Sequence, residues 1–110
     1  MSDRKFGKCG ETYLNNKYVL SIDYSPRYSL FLLFRISGQD TYMKKSYEYS
    51  AERDGYKTDE ELYNILKVLL KEHTEATIVI EMSASAASFI ECIKKHNEFD
   101  LYITETKKDK

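Results

Sequence analysis

One stretch of the chain, residues 77–89, constrains the fold more than any other. Its first four residues are all β-branched, and this run is too short and too stiff at χ1 to form a helix in its own right. The run ends at a carboxylate, Glu81, and a helical pattern follows in which Ser83 or Ser85 can cap the first turn. We therefore predict a strand, a tight turn and a helix, with an acid at the sheet edge where ligands gather in open α/β folds.

An acid in this position also has an ordinary interpretation. Glu81 would then be a solvated residue, or one that favours the positive end of the helix macrodipole. A chemical function for Glu81 therefore depends on which other residues the fold brings to the same edge.

The rest of the sequence predicts four further strands. Runs of apolar residues between turn residues indicate strands at residues 17–24, 28–37, 41–49 and 99–104. The strand described above covers residues 76–82. The second strand is apolar on both faces over residues 30–34, which is typical of a strand covered on both sides. Lys44 and Lys45 suit an edge strand, because charge there discourages further pairing.

Two helices complete the predicted fold. Thr58 and Glu61 have the spacing of a capping box and follow a polar loop predicted at residues 50–57. The apolar face of the first helix repeats at i, i+3, i+4, i+7 and i+8 and consists of Leu62, Ile65, Leu66, Leu69 and Leu70. The second helix is predicted over residues 85–96. The fold class is α/β, with the element order β-β-β-α-β-α-β and the helices packed on a mixed sheet.

This order has a chemical consequence for two acids. Right-handed crossovers put the first and fourth strands side by side, so Asp23 and Glu81 are expected next to each other at one edge. Neighbouring carboxylates repel when both are ionised, unless a divalent cation lies between them. Two Mg²⁺ or Mn²⁺ ions held by several such acids can stabilise both the attacking and the leaving oxygen in phosphodiester cleavage.

Composition narrows the functional classes. A chain of 110 residues with 42% hydrophobic residues suits one compact domain. The net charge is −1, which argues against tight, non-specific DNA binding. Basic residues outnumber acidic ones up to position 57, and acidic residues outnumber basic ones beyond it. No apolar run is long enough to span a bilayer and the N-terminus lacks a signal-peptide pattern, so the expected location is cytoplasmic, without membrane contact.

The cysteines and histidines do not indicate a metal centre by their spacing. Cys9 and Cys92 are far apart in the sequence and match no zinc motif, and Cys92 is expected to be a small buried hydrophobe. His73 and His96 are each expected near a helix end, where a cation is favoured.

Four segments, taken together in order, resemble the nuclease domain of tailed-phage large terminases. They are residues 18–23, 57–63, 78–81 and 85–90. The resemblance runs from about Tyr18 to Thr104 and implies a ribonuclease H-like fold, truncated after the fifth strand. Mixed charge and two glycines predict an irregular leader at residues 1–16, followed by the truncated domain at residues 17–105 and a charged tail at residues 106–110.

The resemblance also implies the residues of a metal site. Asp23 takes the position of the family's first catalytic metal ligand, and Glu81 takes that of the second. Counting back from residues 85–89 instead puts the second acid position on Ser83, so the acid has either moved along the strand or been lost. The family's remaining ligands lie beyond the fifth strand, where Asp109 or Glu105 would have to substitute.

Three functions remain open on the sequence. The first is a phage-derived, nuclease-like domain that no longer cuts and binds another macromolecule, such as a host defence nuclease that it inhibits. The second is a Mg²⁺- or Mn²⁺-dependent endonuclease of phage DNA packaging, and the third is an excised piece of one. A protein partner is favoured by the ten tyrosines, because tyrosine is enriched at interfaces, while DNA is the other partner considered.

Overall fold

A computed structural model describes residues 18–105 of the chain. Five strands form one sheet in the order β3-β2-β1-β4-β5. The elements, in chain order, are β1 (Tyr18–Asp23), β2 (Tyr28–Ser37), β3 (Asp40–Ser50), α1 (Ala51–Asp54), α2 (Asp59–Leu69), β4 (Thr77–Met82), α3 (Ala87–His96) and β5 (Asp100–Glu105). Apart from the short helix α1, this is the predicted order. The predicted leader and tail lie outside the described residues, as do Cys9 and Asp109.

The first three strands form an antiparallel meander. β2 pairs antiparallel with both β1 and β3. A two-residue turn joins β2 to β3, and Gly38 has a φ of 65° there, which a residue without a Cβ adopts at low cost. The register of β3 shifts between Leu33 and Phe34 of β2, at the predicted edge of the sheet.

The second half of the chain adds parallel strands. β4 pairs parallel with β1 on one side and with β5 on the other. The crossovers run through α2 and α3, which pack against the same face of the sheet in one continuous core. Its fully buried members include Leu20, Phe31, Leu33, Leu66, Ile78, Phe89 and Ile90. The predicted adjacency of the first and fourth strands is therefore confirmed.

The start of α2 follows the sequence prediction closely. The Thr58 hydroxyl accepts a hydrogen bond from the backbone N–H of Glu61 at 3.1 Å. The Glu61 carboxylate accepts in return from the backbone N–H of Thr58 at 2.8 Å. Two N–H groups that a helix start leaves unpaired are thus satisfied, and the predicted capping box is confirmed.

The prediction of a polar loop at residues 50–57 is wrong for four of these residues. Residues Ala51–Asp54 form one helical turn, which is tied to the sheet because the backbone N–H of Ala51 donates to the carbonyl of Arg27 at 2.8 Å. Tyr49 is fully buried below this turn, and its hydroxyl donates to the carbonyl of Gly55 at 3.1 Å. The same hydroxyl accepts from the backbone N–H of Lys57 at 3.1 Å. A side chain from the preceding strand therefore orders a segment whose own composition is polar.

Two further expectations change in detail. α3 begins at Ala87, and neither predicted serine is its N-cap; instead, the Ser83 hydroxyl accepts from the backbone N–H of Ala86 at 3.1 Å, within the preceding turn. β2 is fully covered on one face only. Phe31 and Leu33 are fully buried under the helices, whereas Leu32 on the opposite face is half-buried.

Within residues 18–105, no helix has the length and apolar character needed to cross a membrane.

Candidate functional site

Asp23 and Glu81 lie at the carboxyl ends of two neighbouring parallel strands. Asp23 is the last residue of β1, and Glu81 is the penultimate residue of β4. The last paired positions of these strands are Ile22 and Ile80, so both acids come directly after a matched pair. Because side chains alternate along a strand and Ile22 and Ile80 face the helices, both acids project from the opposite face. Both side chains are exposed.

The two acids share a cleft of about 570 Å³. The other polar side chains that line it come from β1, from the turns after β1 and β4 and from β5, and they are Ser21, Tyr24, Ser83, Ser85 and Thr104. Carboxylate and hydroxyl oxygens are the ligands that Mg²⁺ and Mn²⁺ prefer. Neighbouring strands lie about 4.8 Å apart, so carboxylates in matched positions can approach one ion from two sides.

The parallel register determines which residue is the neighbour of Asp23. β4 continues through Met82, and its position next to Asp23 is Glu81. Ser83 follows the end of the strand, and its hydroxyl is engaged by the N–H of Ala86. Ser83 still lines the cleft, so the alternative acid position from the sequence belongs to the same site but carries no carboxylate.

The two substitute ligands proposed at the end of the sequence, Glu105 and Asp109, have different outcomes. Glu105 pairs with Met82, one position beyond the pair formed by Glu81 and Thr104. By strand alternation, Glu105 therefore faces the other side of the sheet from Glu81. Asp109 lies outside the described residues.

Tyr24 connects the cleft to the helical layer. Its ring stacks on Phe89 of α3 with centroids 5.1 Å apart, and its hydroxyl donates to Asp59 of α2 at 3.3 Å. Burial, together with the charge and hydrogen bond of Asp59, raises the pKa of Tyr24 to about 12. Tyr24 is therefore a neutral, positioned side chain next to the two carboxylates, and it does not supply a base at neutral pH.

A second group of polar side chains, which the sequence analysis missed, joins α2 to α3. The imidazole Nε2 of His96 lies 2.9 Å and 3.2 Å from the two carboxylate oxygens of Glu60. The thiol of Cys92 donates to Glu60 at 3.4 Å. The available sequence signal was the spacing of Cys92 and His96, four residues apart on one helix face. Nothing local indicated Glu60, which lies more than thirty residues earlier.

Comparison with solved structures identifies the fold. The structure of the large terminase from a thermophilic bacteriophage superimposes with a TM-score of 0.70 at 25% identity, over 83% of this chain. The same terminase in complex with ADP gives a TM-score of 0.68 at 26% identity, over 86% of this chain. The chain resembles phage large terminase. The sequence-based resemblance and the ribonuclease H-like α/β fold are thereby confirmed.

The extent of the match limits which properties of the terminase can be inferred for this chain. This chain spans 23% of the length of that phage terminase. The resolvase of Fowlpox virus, solved with its substrate Holliday junction DNA, matches with a TM-score of 0.54 at 11% identity, over 84% of this chain and 64% of the resolvase. That second likeness shows the fold alone. No family model and no curated protein matches the chain.

Proposed function

We propose that this chain is a nuclease-like domain that binds Mg²⁺ or Mn²⁺ through Asp23 and Glu81 and uses the ion to engage a phosphodiester of DNA. The observation that carries the proposal is the matched position of the two acids at the ends of adjacent parallel strands, in one cleft. The cation would remove the repulsion between the carboxylates and supply the positive charge that a phosphate needs.

The residues around the acids fit this chemistry. Ser21 lies on the strand that ends in Asp23, Thr104 lies on the strand beside Glu81, and both line the cleft. The cleft lies at the carboxyl ends of β1 and β4, and both acids in it are exposed, so a phosphate has access to them. Because most binding energy for DNA comes from phosphates, one metal-bound phosphate can serve as an anchor even for a chain of net charge −1.

The test compares cleavage and metal binding in matched variants. Purified chain is incubated with supercoiled plasmid and with single-stranded DNA in Mn²⁺, beside Asp23→Asn and Glu81→Gln. Glu75→Gln is the control, because Glu75 is an exposed acid in the turn before β4, at the other edge of the sheet. Loss of cleavage in the first two variants alone would establish a metal-dependent nuclease.

Calorimetry with Mn²⁺ separates the remaining outcomes. Binding that both cleft variants lose, without cleavage by the wild-type chain, would support a domain that holds DNA through the metal and does not cut. Wild-type chain that neither binds Mn²⁺ nor cuts would overturn the proposal.

A second candidate function is binding to another protein, as a non-catalytic inhibitor of a host nuclease in the cytoplasm. It is favoured by large exposed side chains on the β2–β3 hairpin, where Tyr28 is 43%, Tyr42 is 49% and Met43 is 57% exposed. Exposed tyrosine and methionine are enriched at protein interfaces. Among residues 18–105, two carboxylates line the cleft, which is few for a two-metal site.

This candidate has its own test. Excess chain is added to plasmid digests by a panel of bacterial restriction endonucleases, beside Tyr42→Ser. The expected result is that the wild-type chain inhibits at least one of these enzymes and that Tyr42→Ser does not inhibit it. Unchanged digestion by the whole panel would exclude this activity against restriction endonucleases.

A further inference from the structure

The contact between α2 and α3 contains a group of three potential metal ligands. The side chains of Glu60, Cys92 and His96 each offer one donor atom, and all three atoms lie within 4.8 Å of one another. Cys92 and His96 are four residues apart in α3, so they lie on one face of that helix. Glu60 lies in the first turn of α2 and faces them from the other helix. This group, called here the Cys92 cluster, lies apart from the Asp23–Glu81 cleft and shares no residue with it.

We propose that the Cys92 cluster is a binding site for Zn²⁺, with Glu60, Cys92 and His96 as the three protein ligands and water as the fourth. The donor set decides the class of ion. A thiolate and an imidazole select a borderline transition metal and disfavour Mg²⁺ and Ca²⁺, which take oxygen ligands. Three protein ligands with one open position are common for zinc sites exposed to solvent.

Two of the three distances between ligand atoms are close to those that zinc requires. Tetrahedral bonds of normal length place sulfur, nitrogen and oxygen ligands about 3.3–3.6 Å apart. The Cys92 sulfur lies 3.4 Å from a Glu60 oxygen, and the His96 nitrogen lies 2.9 Å from the other oxygen. The Cys92 sulfur and the His96 nitrogen lie within 4.8 Å of each other, so the two side chains must approach by up to about 1.2 Å to bind one ion. The Glu60 side chain is 56% exposed and is free to adjust to the ion.

The surroundings hold the ligands in place and leave access for the ion. The His96 ring stacks on Tyr63 with centroids 4.0 Å apart and an interplanar angle of 7°. Tyr63 is fully buried and its hydroxyl donates to Glu98 at 2.6 Å, so it is a rigid support. A cavity of about 690 Å³ borders Glu60 and Cys92 and provides an entry path and room for a bound water.

The charge balance also suits a divalent ion. The cavity wall carries two lysines, Lys94 and Lys95, and two further acids, Asp59 and Glu91. Lys94 pairs with Glu91 at 3.6 Å. These charges cancel, so the charge at the centre is set by the Glu60 carboxylate and the Cys92 thiolate.

Metal binding must remove the thiol proton. Burial and the neighbouring Glu60 raise the pKa of Cys92 to about 11, so the thiol is protonated at neutral pH without metal. On binding, the sulfur–hydrogen bond is replaced by a sulfur–zinc bond, and one proton passes to solvent with no change in oxidation state. We therefore expect binding to release about one proton per ion and to tighten as the pH rises.

Co²⁺ is the probe, since it occupies zinc sites and reports a thiolate ligand by an intense near-ultraviolet charge-transfer band. The 110-residue chain, stripped of metal with a chelator, is titrated with Co²⁺ and then with Zn²⁺. The expected result is a charge-transfer band with tetrahedral visible bands at one equivalent, bleached by Zn²⁺. Cys92→Ser should abolish the charge-transfer band, and Glu60→Gln, at an exposed position, should weaken binding at least tenfold.

Cys9→Ser is the matched control, because it removes the other cysteine of the chain and should leave the spectrum unchanged. Circular dichroism checks that each variant is folded. Absence of the charge-transfer band in folded wild-type chain would overturn the proposal and leave the Cys92 cluster as a hydrogen-bonded contact between helices. A band that survives Cys92→Ser would overturn the proposal as well. Asp23→Asn should keep the cobalt spectrum, so failure of the cleft proposal is distinguishable from failure of this one.

Discussion

At the scale of single residues, Tyr24 gives a prediction that depends on pH. Its neutral form is favoured in the folded chain, with a pKa raised from 10.0 to about 12, mainly by burial and then by Asp59. The stabilisation is fully present below pH 10 and is lost between pH 10 and about 12, because the unfolded chain releases the proton first. Urea unfolding at several pH values should show the free-energy difference between wild-type and Tyr24→Phe falling across this interval.

The partner of Tyr24 supplies the control for that measurement. Asp59→Asn removes the negative charge and weakens the acceptor, so the pKa of Tyr24 should move down towards 10.0 while burial keeps it raised. Spectroscopic titration of the phenols should show this shift. A wild-type-to-Tyr24→Phe difference that stays constant with pH would contradict the assignment.

The sequence was informative about residues whose position depends on the sheet and less so about residues paired between helices. Asp23 and Glu81 each follow a β-branched or apolar strand, and strand periodicity with the crossover rule was enough to bring them together. The Cys92 cluster needs the rotation of two helices about their axes and their relative height. No local pattern contains that information, so Glu60 could not be linked to His96 from sequence.

At the scale of secondary-structure elements, the helical turn α1 depends on a side chain outside it. The Tyr49 hydroxyl pairs with the carbonyl of Gly55 and with the N–H of Lys57. Tyr49→Phe keeps the ring but leaves both backbone groups without this partner. We expect a loss of about 1–3 kcal/mol in the free energy of unfolding, which chemical denaturation measures directly.

Tyr47→Phe is the matched control for this substitution. Tyr47 lies two residues earlier on the same strand, is half-buried and contacts Phe31 through its ring, which phenylalanine preserves. Its loss is expected to be below about 0.5 kcal/mol. Equal losses in both variants would mean that the hydroxyl of Tyr49 does not order the segment after β3.

The same contact explains why one element was mispredicted. Residues 50–57 are polar and include Gly55, so composition indicated a loop, whereas the capping box at Thr58 depends only on residues three apart and was predicted correctly. Ala51 is buried and bonded to Arg27, a tertiary contact that the local sequence does not encode. Elements that depend on local hydrogen bonds were therefore predictable, and the element that depends on the sheet was not.

At the scale of the whole molecule, strand order brings the candidate site together. The meander of β1 to β3 and the two crossovers place β1 and β4 side by side within the sheet, where their carboxyl ends meet. In residues 18–105 the helices pack on one face of the sheet, and the cleft lies at the carboxyl ends of β1 and β4. The topology was predictable from sequence because each strand is separated by clear turn or helix signals. The half-buried side chains of the second face were not, since an apolar run looks the same in either setting.

This arrangement predicts that metal reverses a stability order. Without metal, the neighbouring carboxylates repel, so Asp23→Asn should be at least as stable to heat as the wild-type chain. With Mn²⁺ at 100 times its Kd, binding to the folded state should stabilise the wild type by about 2.7 kcal/mol, which is roughly 10 °C in Tm for a domain of this size. The variant should lose most of this gain.

Differential scanning calorimetry across Mn²⁺ concentrations measures both effects, with Glu75→Gln and Cys92→Ser expected to respond as the wild type does. A Tm that is independent of Mn²⁺ in all chains, or one that rises equally in Asp23→Asn, would show that the acids at the strand ends do not bind the metal.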